Sequence, residues 1–261
     1  MKNYGIDLLR NVGLIGHGGV GKTSLAEAML FVAGATKRLG QVDNGSSIFD
    51  YEAEEIKRQV SINAMLGFCE WNNFKINVID TPGYSNFAGD AKGCMGVMDG
   101  AVVVINAEEG VQTQTEKVWG WAEESGVRRL VFFNGMNRER ADFTAALAGT
   151  GDLLTPKPVA VQLPIGSGDG FRGVVDVIRE TAHLFAKDGS GKMEKSEIPE
   201  DLADAVSEAR ELLMEAAAEG EDELLEKYLE SGALSTEEIV AGLAAGVREG
   251  RVVPALCGAA D

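Results

Sequence analysis

One segment near the N-terminus, Gly16-His-Gly-Gly-Val-Gly-Lys-Thr23, constrains this chain more than any other feature. It fits the pattern G-x-x-x-x-G-K-[ST], and it lies between an apolar run, NVGLIG, and a helical pattern, KTSLAEAMLFVAG. A turn of this composition between a strand and a helix can close its backbone N–H groups around a phosphate, aided by the positive end of the helix. On this reading Gly16, His17, Gly18, Gly19, Val20, Gly21, Lys22, Thr23 and Ser24 line the phosphates of a nucleoside triphosphate. Lys22 bridges the β- and γ-oxygens, and the Thr23 hydroxyl ligates Mg²⁺.

A loop of this kind belongs to an α/β chain, and the first half supplies one. Short β-branched runs alternate with helical patterns, the mark of a parallel sheet with crossover helices. FKINVID (Phe74 to Asp80) reads as a strand, as do AVVVINA and VRRLVFFN, with TQTEKVWGWAEESG as a helix between the last two. Trp119 and Trp121 fall in that helix and read as packing residues. The polar stretch Thr36 to Ser61 is too long for a plain connection and reads as functional or mobile. Near Thr155 the character changes. VAVQLPIGSGDGFRGVVDVIRETAHLF alternates around Gly-rich turns as an antiparallel unit would, with His183 as an ordinary strand residue. Ile198 to Gly250 is helical, and VVPALC returns to strand. The expected architecture is a P-loop fold, a mainly parallel sheet with helices on both faces, over 1–156 and 251–261. An inserted α+β subdomain with acidic helices covers 157–250.

Asp80 strengthens the phosphate reading. A carboxylate ending a buried strand, followed by Thr-Pro-Gly83, suits the holding of Mg²⁺ through water, and Gly83 can offer an N–H to a γ-phosphate. Composition sets the outer bounds. A net charge of −17 argues against a direct grip on a nucleic-acid backbone. No apolar run is long enough for a bilayer and no signal-peptide core is visible, so no membrane is expected. Cys69, Cys94 and Cys257 have no metal-binding spacing, which fits a reduced, cytoplasmic setting.

Taken in order, GHGGVGKTS, GQVDNGSSIFDYEAEEIKRQVSI, DTPGYSNFAGD and VRRLVFFNGMNRERADF resemble the GTPase domain of elongation factor G. PVAVQLPIGSGDGFRGVVDVI resembles the domain inserted in that GTPase, and VVPALCGAA its last base-contacting strand and loop. The resemblance covers essentially the whole chain, as if it were the N-terminal third of such a factor. It implies GTP and GDP as ligands with Mg²⁺, GTP hydrolysis, and action on the ribosome at the factor-binding site and the large-subunit stalk protein. It further implies that Ser61 reaches Mg²⁺ beside Thr23 and Asp80. Asn134, Asn137, Gly258, Ala259 and Ala260 would meet the base.

This sequence departs from the family at several positions. The family has an acidic residue where Gly19 stands, and Arg-Gly-Ile-Thr-Ile where Arg58-Gln-Val-Ser-Ile62 stands. It places a histidine that orients the attacking water at Tyr84, although one side branch carries tyrosine there. Catalysis would then rest on Lys22, Gly83 and Tyr84, with a slow intrinsic rate expected. The family's base-reading Asn-Lys-x-Asp is Asn134-Gly-Met-Asn137 here. An amide at 137 brings one acceptor where aspartate brings two, so guanine preference should weaken. Two rivals therefore stay open: a nucleotide-dependent switch with little hydrolysis, and a P-loop enzyme for another base. The acidic run Glu194 to Glu230 likewise has two readings, a solvated helix face or a field that steers a basic partner.

Overall fold

The computed structural model describes residues 2–186 and 188–260, which divide by compactness into two units. One is Met1–Arg128 with Ala259–Asp261, the other Arg129–Gly258. This division differs in kind from the insertion expected at 157–250, all of which lies inside the second unit.

In the first unit the order is β1 (Leu9–Gly16), α1 (Lys22–Val32), α2 (Ala53–Arg58), β2 (Met65–Trp71), β3 (Phe74–Asp80), α3 (Ala88–Cys94), β4 (Gly100–Asn106) and α4 (Thr113–Glu124). Its strands stand in the order β2-β3-β1-β4, part of a seven-stranded, mainly parallel sheet. β1 runs parallel to β3 and β4, while β2 is antiparallel to β3. Leu14, Ile15, Val78 and Val103–Ile105 are fully buried, as expected of parallel strands covered on both faces. The β1–β3 register sets Leu14 opposite Asp80, so the turn after β1 and the carboxylate ending β3 emerge at the same sheet edge. Trp119 packs in the core, and Trp121 is half-buried with Lys92 over its ring.

The second unit holds β5 (Arg128–Asn134), α5 (Phe143–Leu153), β6 (Pro158–Ala160), β7 (Gln162–Ile165), β8 (Gly173–Asp176), β9 (Thr181–Phe185), β10 (Met193–Ser196), α6 (Ala203–Ala218), α7 (Asp222–Ser231), α8 (Thr236–Glu249) and β11 (Val253–Cys257). β11 lies between β5 and β6, parallel to both. A separate antiparallel sheet has the order β10-β9-β8-β7. Val159 and Ala160 were expected in the antiparallel unit and instead join the parallel strands. Alternation in so short a run cannot tell the two sheets apart. Glu194, at the start of the acidic run, sits in exposed β10 rather than in a helix. Behind the strands, Leu213, Met214, Ala217 and Ala218 of α6 pack on Ile239 and Leu243 of α8. A Ser235–Glu238 capping box starts α8, and Gly250 in the left-handed region ends it. His183 is a half-buried residue of β9.

A candidate phosphate and magnesium site

Gly16 ends β1, His17 to Gly21 make the turn, and Lys22, Thr23 and Ser24 open α1. The turn needs its glycines: Gly19 and Gly21 have φ of 78° and 89°, a region other residues enter only under strain. Lys22 retains 6% of its surface, and its Nζ donates to the carbonyls of His17 (2.6 Å) and Gly16 (3.3 Å). Burial pulls its pKa down to about 8, with Asp80 and then Asp50 opposing. Burial, with the Lys22 charge second, also holds His17 below its usual value, and its Nδ1 is enclosed without a partner.

Three oxygen-bearing side chains from separate segments converge beside Lys22. The Thr23 hydroxyl donates to Asp80 Oδ2 at 2.6 Å and lies 3.1 Å from the Ser61 hydroxyl. Asp80 Oδ1 is buried with no hydrogen bond. Burial raises the Asp80 carboxyl to about 7, with the Thr23 hydroxyl and Lys22 pulling it back. After Asp80, the Thr81 hydroxyl donates to the Leu14 carbonyl at 2.7 Å and ties the turn to β1. Gly83 is buried against the P-loop, and Tyr84 follows it with an exposed edge.

Three carboxylates that sequence reasoning missed organise the segment from Thr36 to Asn63. Glu27 of α1 accepts from the Ser47 hydroxyl (2.7 Å) and the Ile48 N–H (2.6 Å). Glu55 accepts from the N–H groups of Glu52, Ile62 and Asn63, which pins the chain just after Ser61. Asp50 is buried, and neither of its oxygens has a hydrogen bond of normal geometry. Burial raises its pKa, the neighbouring Ser61 hydroxyl easing the effect and Glu55 and Glu27 adding to it. The one sequence signal was the Glu52…Glu55 spacing of a capping box. In a polar stretch these acids otherwise look like surface.

Hydroxyl and carboxylate oxygens are the donors that Mg²⁺ takes, and the unpartnered oxygens of Asp80 and Asp50 are acceptors left for a hydrated cation. Among the described residues no three His, Cys, Asp or Glu side chains could hold a metal by themselves. None need do so here, because Mg²⁺ in phosphate sites relies on one or two protein ligands, phosphate oxygens and water. The residues present fit that ion.

In the second unit, Asn134 ends β5 and is buried, Gly135 has φ 77°, and Asn137 is exposed. The Met136 N–H donates to the Gly258 carbonyl (3.1 Å), and the Gly258 N–H to the Phe133 carbonyl (3.0 Å), which fixes the loop against the end of β11. In the first unit, Ala259 is half-buried and Ala260 buried. No helix among the described residues is long and apolar enough to cross a membrane.

Two comparisons bear on this arrangement. The sequence matches the family described as "Elongation factor Tu GTP binding domain" over residues 7–260. A crystal structure of a protein from Thermus thermophilus superposes with a TM-score of 0.89 at 30% identity, covering 97% of this chain. The chain spans 38% of that structure's length.

Proposed function

The chain belongs to the elongation factor Tu GTP-binding domain family, and from that premise we propose that it is the nucleotide switch of a ribosome-associated translation factor of the elongation factor G type. It binds GTP and GDP with Mg²⁺, hydrolyses GTP slowly by itself, and speeds up when the ribosome engages it in the cytoplasm. The observation that carries this reading is the convergence of Thr23, Ser61 and Asp80 within 2.6–3.1 Å beside a buried lysine.

In this reading the backbone from Gly16 to Ser24 wraps the β-phosphate and Lys22 clamps the β- and γ-oxygens. Thr23 and Ser61 would hold Mg²⁺ directly, and Asp80 and Asp50 would reach it through water. Mg²⁺, when bound, neutralises charge on the β- and γ-oxygens. Gly83 offers its N–H to the γ-phosphate, so Ser61 and Gly83 report that phosphate to the two flanking segments. Tyr84 is the residue this reading assigns to orienting the attacking water. Its phenol gives one hydroxyl on a rigid arm and no cation, which limits it to positioning. Asn134, Asn137, Gly258, Ala259 and Ala260 are the residues this reading assigns to the base. The stalk protein of the large subunit meets the acidic helices.

A second reading, a switch with little hydrolysis, is favoured by Tyr84 itself. Single-turnover hydrolysis with added ribosomes separates the two: stimulated turnover supports the GTPase, and none supports the silent switch. For the site as a whole, Lys22→Ala should remove measurable nucleotide binding in calorimetry while the circular dichroism spectrum stays unchanged. Undiminished affinity in a folded variant would exclude the phosphate assignment.

A further inference from the structure

Tyr84 lies against the P-loop in a way its role toward water does not require. A Cβ placed on Gly18 would come within 2.6–2.8 Å of the ring's Cζ, Cε2 and Cε1, so the phenol end of the ring rests directly on that glycine. At Gly19 the nearest atom to such a Cβ would be the phenol oxygen, 4.0 Å away. The preceding residue is closer still to the phosphate-handling groups. A Cβ on Gly83 would fall on Lys22 Nζ and lie 2.5 Å from the His17 carbonyl oxygen and 2.6 Å from the Gly18 nitrogen. Meanwhile Lys22 Nζ is engaged with the loop's own carbonyls at Gly16 and His17.

A terminal phosphate held between Lys22 and the Gly83 N–H needs room that these contacts fill. It can take its place only if the Gly83–Tyr84 turn backs away, and that motion lifts the ring off Gly18. Either nucleotide must draw Lys22 Nζ off the Gly16 and His17 carbonyls, but only the triphosphate carries the group that the Gly83 N–H would meet. Tyr84 can swing at small cost on its other side, since 41% of its surface is in water. What holds the turn down is therefore the ring's contact with a P-loop that bears no side chain at residues 18 and 19.

We propose that Tyr84 is a lid on the P-loop that sets the discrimination between nucleoside diphosphate and triphosphate, with Gly18 and Gly19 as its seat. The proposal rests on the nucleotide reading above and assigns Tyr84 a second task within it. Tyr84 acts here as a positioning residue, so its test reads binding rather than turnover.

The experiment is calorimetric titration of the intact chain with GDP and with the β,γ-imido analogue of GTP, both in excess Mg²⁺. The shared guanine cancels any weakness at Asn137, so the ratio of the two dissociation constants reports the terminal phosphate alone. Tyr84→Ala should move that ratio toward the triphosphate by about tenfold, the scale of uncovering part of an aromatic ring. Tyr84→Phe, which keeps the ring, should retain the original ratio. An unchanged ratio in Tyr84→Ala, or a shift toward the diphosphate, overturns the lid and leaves the nucleotide site standing. Failure of the unsubstituted chain to bind either nucleotide overturns the nucleotide reading and the lid with it.

Discussion

In the first unit four carboxylates, Glu27, Asp50, Glu55 and Asp80, keep 3% or less of their surface in water, whereas in the second Glu208, Glu211 and Glu215 of α6 all face it. Burying a charge is costly unless donors or a cation meet it, and the four buried acids are met to different degrees. Glu55 collects three backbone N–H groups, and Glu27 collects a hydroxyl and an N–H on one oxygen. Asp80 has Thr23 on one oxygen and nothing on the other, and Asp50 has only the nearby Ser61 hydroxyl, with no hydrogen bond of normal geometry. The two least satisfied acids are the two whose fields reach Lys22. Glu27 and Glu55 hold the chain in place. Asp50 and Asp80 leave acceptors for an ion. On α6 the same residue type borders water, opposite Ala209, Leu213 and Ala217, which are buried in the helix–helix core.

The largest effect should come from the most fully satisfied acid. Glu55→Ala strands three backbone donors and should destabilise the first unit by about 3 kcal/mol. Glu211→Ala, on the wet face of α6, should stay within about 0.5 kcal/mol. Urea unfolding of both variants checks the contrast, and equal shifts would erase it. Next is Asp50→Asn, which keeps the shape and removes the charge. If Asp50 holds a water of Mg²⁺, the apparent Mg²⁺ affinity of the GDP complex should fall about 10- to 100-fold, the usual effect of losing such a supporting group. Titrating Mg²⁺ against a fluorescent GDP analogue measures it, and a Glu219→Gln control should not move.

The contrast explains what could be read from the sequence. Continuous apolar runs announced β1, β3, β4 and β5, and the glycine spacing announced the turn between β1 and α1, because close packing and left-handed backbone demand specific residue types. β2 went unread: Met65–Trp71 mixes Gly67 and Glu70 into an edge strand that exposes Leu66, Phe68 and Trp71. The buried acids went unread for a different reason. A glutamate that accepts backbone N–H groups from residues seven and eight positions on looks, in sequence, like any surface glutamate. Asp80 was readable because an apolar strand leads straight into it. Asp50 stands in a polar segment that has no such frame.

A carboxylate with an inward task can also be introduced in the second unit. Asn137 is exposed on a loop anchored by the Met136–Gly258 hydrogen bond, so a substitution there should alter the chemistry more than the fold. Asn137→Asp supplies two acceptors for guanine's paired donors and should tighten GDP binding about tenfold, with ATP little changed. Competition between the two nucleotides for one labelled ligand decides it. Equal gains for both would show that residue 137 does not read the base.

The smallest effect on the nucleotide site should come from reversing the exposed acids. Replacing Glu208, Glu211 and Glu215 by lysine changes one face of α6 and leaves its buried face untouched. Exposed charges are screened beyond about 8 Å at physiological ionic strength. None of the three lies among the residues proposed to meet the phosphates or the base, so nucleotide affinity should stay within about twofold, a change of roughly 0.4 kcal/mol. If α6 steers a basic surface of the stalk protein, association with that protein should slow several-fold at low salt. The difference should shrink as salt rises, because steering acts through the long-range field rather than through contacts. Surface plasmon resonance at two salt concentrations reads both effects. An association rate indifferent to salt and to charge reversal would leave these carboxylates as a solvated surface. A loss of nucleotide affinity in the triple variant would break the contrast from the other side, since an exposed acid would then be acting on the phosphate site.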